Sequence, residues 1–127
     1  MHSIHTGKIG EIAVQKDLLL QKYNVYLPVV DSGIDLIVEL QNGGMQRVQV
    51  KCVTEMKKRT SIEVNLAKYK DTNKVDVIAV YFAPKDIIAY VPYDNSHHLT
   101  LAIATGKNNQ IKHRKWFYSY ATFPEFS

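Results

Sequence analysis

Apolar residues along the chain change their spacing several times, and each change marks an element. From Thr6 to Lys22, Ile9, Ile12, Ala13, Leu19 and Leu20 recur at helical intervals, which predicts one amphipathic helix with Thr6 as its N-cap. Tyr23-Asn24 breaks that period, and Val25 to Val30 reads as a strand that Pro28 pushes to a sheet edge. Asp31-Ser32-Gly33 is a turn. From Ile34 to Leu40 the even positions Ile34, Leu36, Val38 and Leu40 are apolar, so Asp35 and Glu39 share the other face of a strand. Gln41-Asn42-Gly43-Gly44 is a hairpin turn, and Met45 to Val53 returns as a second strand. There Val48, Val50 and Cys52 point one way and Arg47, Gln49 and Lys51 the other, giving the hairpin a dry face and a charged face.

Thr54 to Thr60 reads as a basic loop. Ser61 to Leu66 has strand composition and Ala67 to Lys74 the length of a short helix; periodicity settles neither. Val75 to Phe82 and Ile87 to Val91 flank the turn Pro84-Lys85-Asp86 and predict a second hairpin, with a further short strand over Leu99 to Ala104. The pattern as a whole predicts a mixed α/β fold.

With 127 residues, 46% of them hydrophobic and 22% charged, the chain reads as a single domain over residues 1–127 with a real core, and disorder and fibrous repeats are excluded. One cysteine rules out both a disulfide framework and a multi-thiolate zinc site. Neither a signal peptide nor an apolar run near membrane length stands out, so the expectation is a cytoplasmic protein with no membrane partner. The net charge is +4, and its distribution matters more than its size. Residues 1–55 carry five basic and six acidic side chains, while the basic, aromatic C-terminal segment 105–127 carries four and one. Acidic groups suited to a cation thus precede positive charge suited to a polyanion.

The residues that carry chemistry are Glu11 on the helix, Asp35 on the first hairpin strand, and Gln49 and Lys51 on the second. Gln49 and Lys51 lie two apart on a strand and point the same way, and pairing across the hairpin brings Asp35 beside them. Carboxylate, amide oxygen and backbone carbonyl suit a hard cation such as Mg²⁺. A lysine next to that cation can orient water and balance charge on a phosphate, so the set points to phosphodiester hydrolysis. Glu39 shares the face of Asp35 but lies about 13 Å further along, too far for the same metal. For phosphate contact the candidates are Lys57, Lys58 and Arg59, and Lys112, Arg114 and Lys115. Trp116, Phe117, Tyr118 and Tyr120 read as packing residues. Cys52 reads as a small core residue, and His97-His98 as a polar loop.

Three segments in order, Gly7-Lys8-Ile9-Gly10-Glu11, Ser32-Gly33-Ile34-Asp35-Leu36 and Val48-Gln49-Val50-Lys51, resemble the motifs of the PD-(D/E)xK nuclease superfamily. Within it the chain looks most like the homing endonucleases of cyanobacterial group I introns, which share the Gln-x-Lys motif. The likeness extends through Ala79-Val80-Tyr81, Tyr90-Val91-Pro92 and Lys107-Asn108-Asn109-Gln110. Ile34 replaces the motif proline, and Gln49 replaces an acidic residue, which removes one negative charge from the site. The resemblance implies a restriction-endonuclease-like core of a helix, three strands, a second helix and a fourth strand, with the first helix packed on a central mixed sheet and the active site on a strand hairpin. It also implies a Mg²⁺-dependent DNA endonuclease, with Mn²⁺ able to substitute. Glu11 would supply a second carboxylate, Val50 a backbone carbonyl, and Gln49 a neutral ligand to the metal or to its water. A Holliday-junction resolvase and a non-catalytic DNA-binding module of the same fold are the alternatives. Because one active site cuts one strand, cleavage of a duplex implies a homo-oligomer, a dimer or a tetramer.

Overall fold

The computed structural model describes residues 3–30, 32–104 and 115–126. Ser3 opens the helix α1, Ile4–Leu20, its hydroxyl accepting from the Thr6 amide at 3.1 Å. The start therefore lies earlier than Thr6, because a serine three residues upstream satisfies an amide that would otherwise lack a partner. The buried face also differs from the expected one. Gly10, Val14 and Leu18 pack inward, while Ile9, Ile12, Leu19 and Leu20 are all more than half exposed. The cause is Gly10: a Cβ built there would lie 2.9 Å from Cys52 Cβ, so only a glycine lets the helix approach the sheet this closely, and that approach selects the stripe containing it.

A five-stranded sheet runs in the order β1-β2-β3-β5-β6. Its members are β1 (Asn24–Tyr26), β2 (Leu36–Glu39), β3 (Met45–Val53), β5 (Val77–Phe82) and β6 (Ile87–Pro92). The first predicted strand stops at Tyr26, before Pro28, and lies at the sheet edge as expected. Pairing is antiparallel except between β3 and β5, where Gln49 lies beside Ile78 and Lys51 beside Val80 in parallel register. A smaller sheet joins β4 (Ser61–Asn65), β7 (His98–Ala102) and β8 (Lys115–Trp116). The segment left open by periodicity resolves into β4 and a single 3₁₀ turn at Ala67–Tyr69. The connection between β3 and β5 thus has no second helix, unlike the expected superfamily core.

The large sheet is sandwiched between α1 and the small sheet. On one side Val14 and Leu18 meet Leu36, Val38, Val48, Val50, Val77 and Ala79. On the other, Ile78, Val80 and Phe82 meet Ile62, Val64, Leu99 and Leu101. All six residues of β5 are consequently buried, as a strand covered on both faces must be. Asp17 ties α1 down by accepting from the Tyr90 hydroxyl at 2.6 Å, and burial and that carboxylate push the Tyr90 pKa up. The chain end packs against the same corner: Phe123 lies between Tyr23 and Tyr90, at ring separations of 5.3 and 5.6 Å. Phe117 is buried, in line with packing as the role of the C-terminal aromatics, whereas Tyr118 is half exposed.

Gly7 and Gly10 should respond in opposite ways to alanine. Nothing lies within 4 Å of a Cβ at Gly7, so Gly7→Ala should stabilise by up to about 1 kcal/mol through helix propensity. At Gly10 the same gain is outweighed by overpacking of about 1–3 kcal/mol. Urea unfolding should therefore show a higher midpoint for Gly7→Ala and a lower one for Gly10→Ala.

Candidate active site

Asp35 precedes β2 and is drawn onto β3. Its amide donates to the Val48 carbonyl at 3.0 Å, and its Oδ2 accepts from the Val50 amide and from Gln49 Nε2, both at 2.8 Å. The carboxylate dictates how the Gln49 amide is turned, since an amide oxygen that close would be repelled. Gln49 is buried, and its Oε1 has no hydrogen-bond partner among the described residues. A buried acceptor left in that state is costly and is rare without a ligand to complete it.

Lys51 lies two residues on, over the ring of Tyr69 at 4.7 Å from its centre. Burial, and then the charge of Lys68, pull the Lys51 pKa below the ordinary lysine range, while Asp35 pulls it back. Asp35 and Gln49 line a pocket of about 350 Å³ whose remaining wall includes Ser32, Lys68, Tyr69 and Lys74. Arg47 braces that wall. Its Nε donates to Asp76 Oδ2 at 3.0 Å and its Nη1 to the Asn73 carbonyl at 3.0 Å. Burial raises the Asp76 pKa, but the hydrogen bonds from Arg47 outweigh it and hold the carboxyl below its usual range.

Gln49 and Lys51 sit on β3 beside Ile78 and Val80 of β5. Glu11 is on α1, next to Gly10 where the helix meets Cys52. Its carboxylate accepts from Lys8 Nζ at 3.3 Å. Among the described residues no three His, Cys, Asp or Glu side chains gather into a metal site, so a cation there needs amide or backbone oxygen among its ligands. Gln49 Oε1 beside the Asp35 carboxylate is a donor of that kind, and these residues fit a hard divalent cation.

The proposed phosphate contacts divide. Lys58 is paired with Glu63 at 2.6 Å and Lys115 with Asp94 at 3.5 Å. Lys57 and Arg59 are exposed without an acidic partner among the described residues. Lys112 and Arg114, like the motif Lys107-Asn108-Asn109-Gln110, lie outside the described residues. Sequence reasoning missed Arg47, Lys68, Tyr69 and Lys74. The alternation of β3 already placed Arg47 on the face of Gln49 and Lys51, but nothing in the irregular segment after β4 signalled that it folds over that face.

A mixed sheet flanked by a helix, presenting an aspartate and a Gln-x-Lys pair from adjoining strands, defines a restriction-type nuclease core. The chain belongs to the PD-(D/E)XK endonuclease family, whose model matches residues 1–123. Among solved structures it is similar in fold to a bacterial homing endonuclease, I-Ssp6803I. The TM-score is 0.71 at 19% sequence identity, over 94% of this chain and 87% of that one. No curated protein matches it by sequence.

Replacing the amide by a carboxylate tests the role of Gln49. In metal-free Gln49→Glu, two carboxylates meet where a hydrogen bond stood, and stability at neutral pH should fall by about 1–3 kcal/mol. Like charges favour the protonated form, so the loss should shrink as pH is lowered. Mg²⁺ should raise the melting temperature of the variant more than that of the wild type. Identical Mg²⁺ responses would place Gln49 outside the ligand set.

Proposed function

We propose that this nuclease is a divalent-metal-dependent DNA endonuclease of the homing type. The observation that carries the reading is the Asp35, Gln49 and Lys51 cluster, with the buried Gln49 Oε1 left without a partner among the described residues beside a carboxylate. Mg²⁺, with Mn²⁺ able to take its place, would be held by Asp35, Gln49 and the Val50 carbonyl, with Glu11 as a second carboxylate. Bound there, it would supply Lewis acidity and a more acidic water. Asp35 is fixed by two donors and so keeps its orientation without a bound ligand. Lys51, half-buried over Tyr69, is placed to orient water and to balance negative charge growing on a phosphate.

Asp35→Ala and Lys51→Ala should each lower metal-dependent cleavage of plasmid DNA by about 10²-fold or more, with the fold retained by circular dichroism. Wild-type rates in either variant would remove these residues from the site. Running linear duplex beside a four-way junction separates the two activities: preference for the junction would replace the homing reading with a resolvase. No cleavage of either substrate in Mg²⁺ or Mn²⁺ would leave a DNA-binding module.

Cutting both strands calls for two sites related by symmetry, so the reading includes a homodimer or homotetramer. The apolar stripe Ile9, Ile12 and Leu19 on the outer side of α1 is exposed and offers a surface for a second copy. Sedimentation equilibrium should give two or four chains per particle. A monomer that cuts both strands at the same concentration would refute the oligomer.

A further inference from the structure

Lys68 and Lys74 line the pocket that holds Asp35 and Gln49, and neither belongs to the motif residues. Lys68 Nζ lies 5.3 Å from the centre of the Tyr69 ring that Lys51 Nζ approaches at 4.7 Å. Two ammonium groups thus converge on one aromatic ring. Lys58, Lys70 and Lys115 each have a carboxylate partner. Lys68 and Lys74 have none among the described residues.

The segment that presents them is held from several sides. The Leu66 amide donates to the His97 carbonyl at 2.7 Å, and the Asp71 amide to Asn95 Oδ1 at 2.7 Å. Thr72 Oγ1 donates to the Tyr69 carbonyl at 2.7 Å, while Arg47 binds the Asn73 carbonyl and Asp76. Asp71 and Asn73 adopt positive φ of 64° and 56°, which turns the segment back over the sheet; both are residue types for which that conformation is less costly. Exposed lysines on a braced segment, lining one pocket with a third lysine, Lys51, over the Tyr69 ring in its wall, suit a ligand that carries several negative charges at regular spacing. A nucleic-acid strand, with one charge per phosphate, has that form.

We propose that Lys68 and Lys74 form a phosphate-binding arm that holds the backbone phosphate next to the one at Asp35 and Lys51, and so sets the register of the DNA strand in the pocket. The proposal rests on the nuclease reading for its substrate, and a measurement without catalysis tests it. Binding of a labelled duplex is followed by fluorescence anisotropy in metal-free buffer across a salt series. Comparison is between wild type, Lys68→Ala, Lys74→Ala, Lys68→Arg and the control Lys22→Gly, which removes a positive charge from the end of α1. Each alanine variant should bind several-fold more weakly and flatten the dependence of log K on log salt by about one unit. Lys68→Arg should restore the slope, and Lys22→Gly should leave it unchanged. Wild-type affinity and slope in both alanine variants would overturn the arm. So would reduced cleavage by Lys68→Ala with an unchanged slope, which would make Lys68 a prop for Lys51. Failure of the nuclease reading is distinguishable, because a chain that cuts nothing can still show the altered salt slope.

Discussion

The site depends on one carboxylate. Asp35 Oδ2 accepts from a backbone amide and a side-chain amide of β3, and the Asp35 amide donates to the same strand. These bonds fix where β2 enters the sheet relative to β3, and hence that Asp35, Gln49 and Lys51 share a face. Charge-assisted bonds of this kind are stronger than neutral ones. A one-residue slip would move Gln49 and Lys51 to the dry face against α1, and the buried valines of β3 oppose such a slip with their own burial energy.

Gln49 is the consequence of that arrangement. An acidic residue at this place would stand against Asp35 in like-charge contact and would need a cation to keep the two together. The amide instead offers a donor, so the pair is held without metal while its oxygen remains for a ligand. The site exchanges one negative charge for pre-organisation. With less charge to attract it, a cation held here would depend more on the orientation of the remaining oxygens, and orientation is what the β3 hydrogen bonds provide.

Legibility in the sequence followed local physics. Alternation over β3 gave its bounds, its two faces and the joint position of Gln49 and Lys51, because a strand with one dry and one charged face has only one consistent reading. The hairpin turns were equally legible, the first from Asn42, Gly43 and Gly44 and the second from Pro84 and Asp86. The buried face of α1 was not. The helix is apolar on more than one side, and composition favoured Ile9, Ile12 and Leu19 over the stripe that contains Gly10. What decides it is contact with Cys52, a tertiary fact that no helical period contains. For the site, Asp35, Gln49 and Lys51 were readable from parity and turn chemistry. Lys68 and Lys74 were not, since they arrive through an irregular segment held by scattered side-chain bonds.

That irregular segment follows from how the β3 to β5 crossover is built. Where the superfamily core would have a second helix, this chain has none. β4 and one 3₁₀ turn pack over Ile78 and Val80 of β5, and Tyr69 of that turn meets Lys51 of β3. Tyr69 closes the apolar layer with its ring, and the same ring gives Lys51 a partner for its charge where burial would otherwise oppose it. The boundary between core and pocket therefore runs through one side chain. Its apolar body belongs to the layer beneath, and its π face lets a lysine be held at the edge of that layer, partly desolvated and next to Asp35.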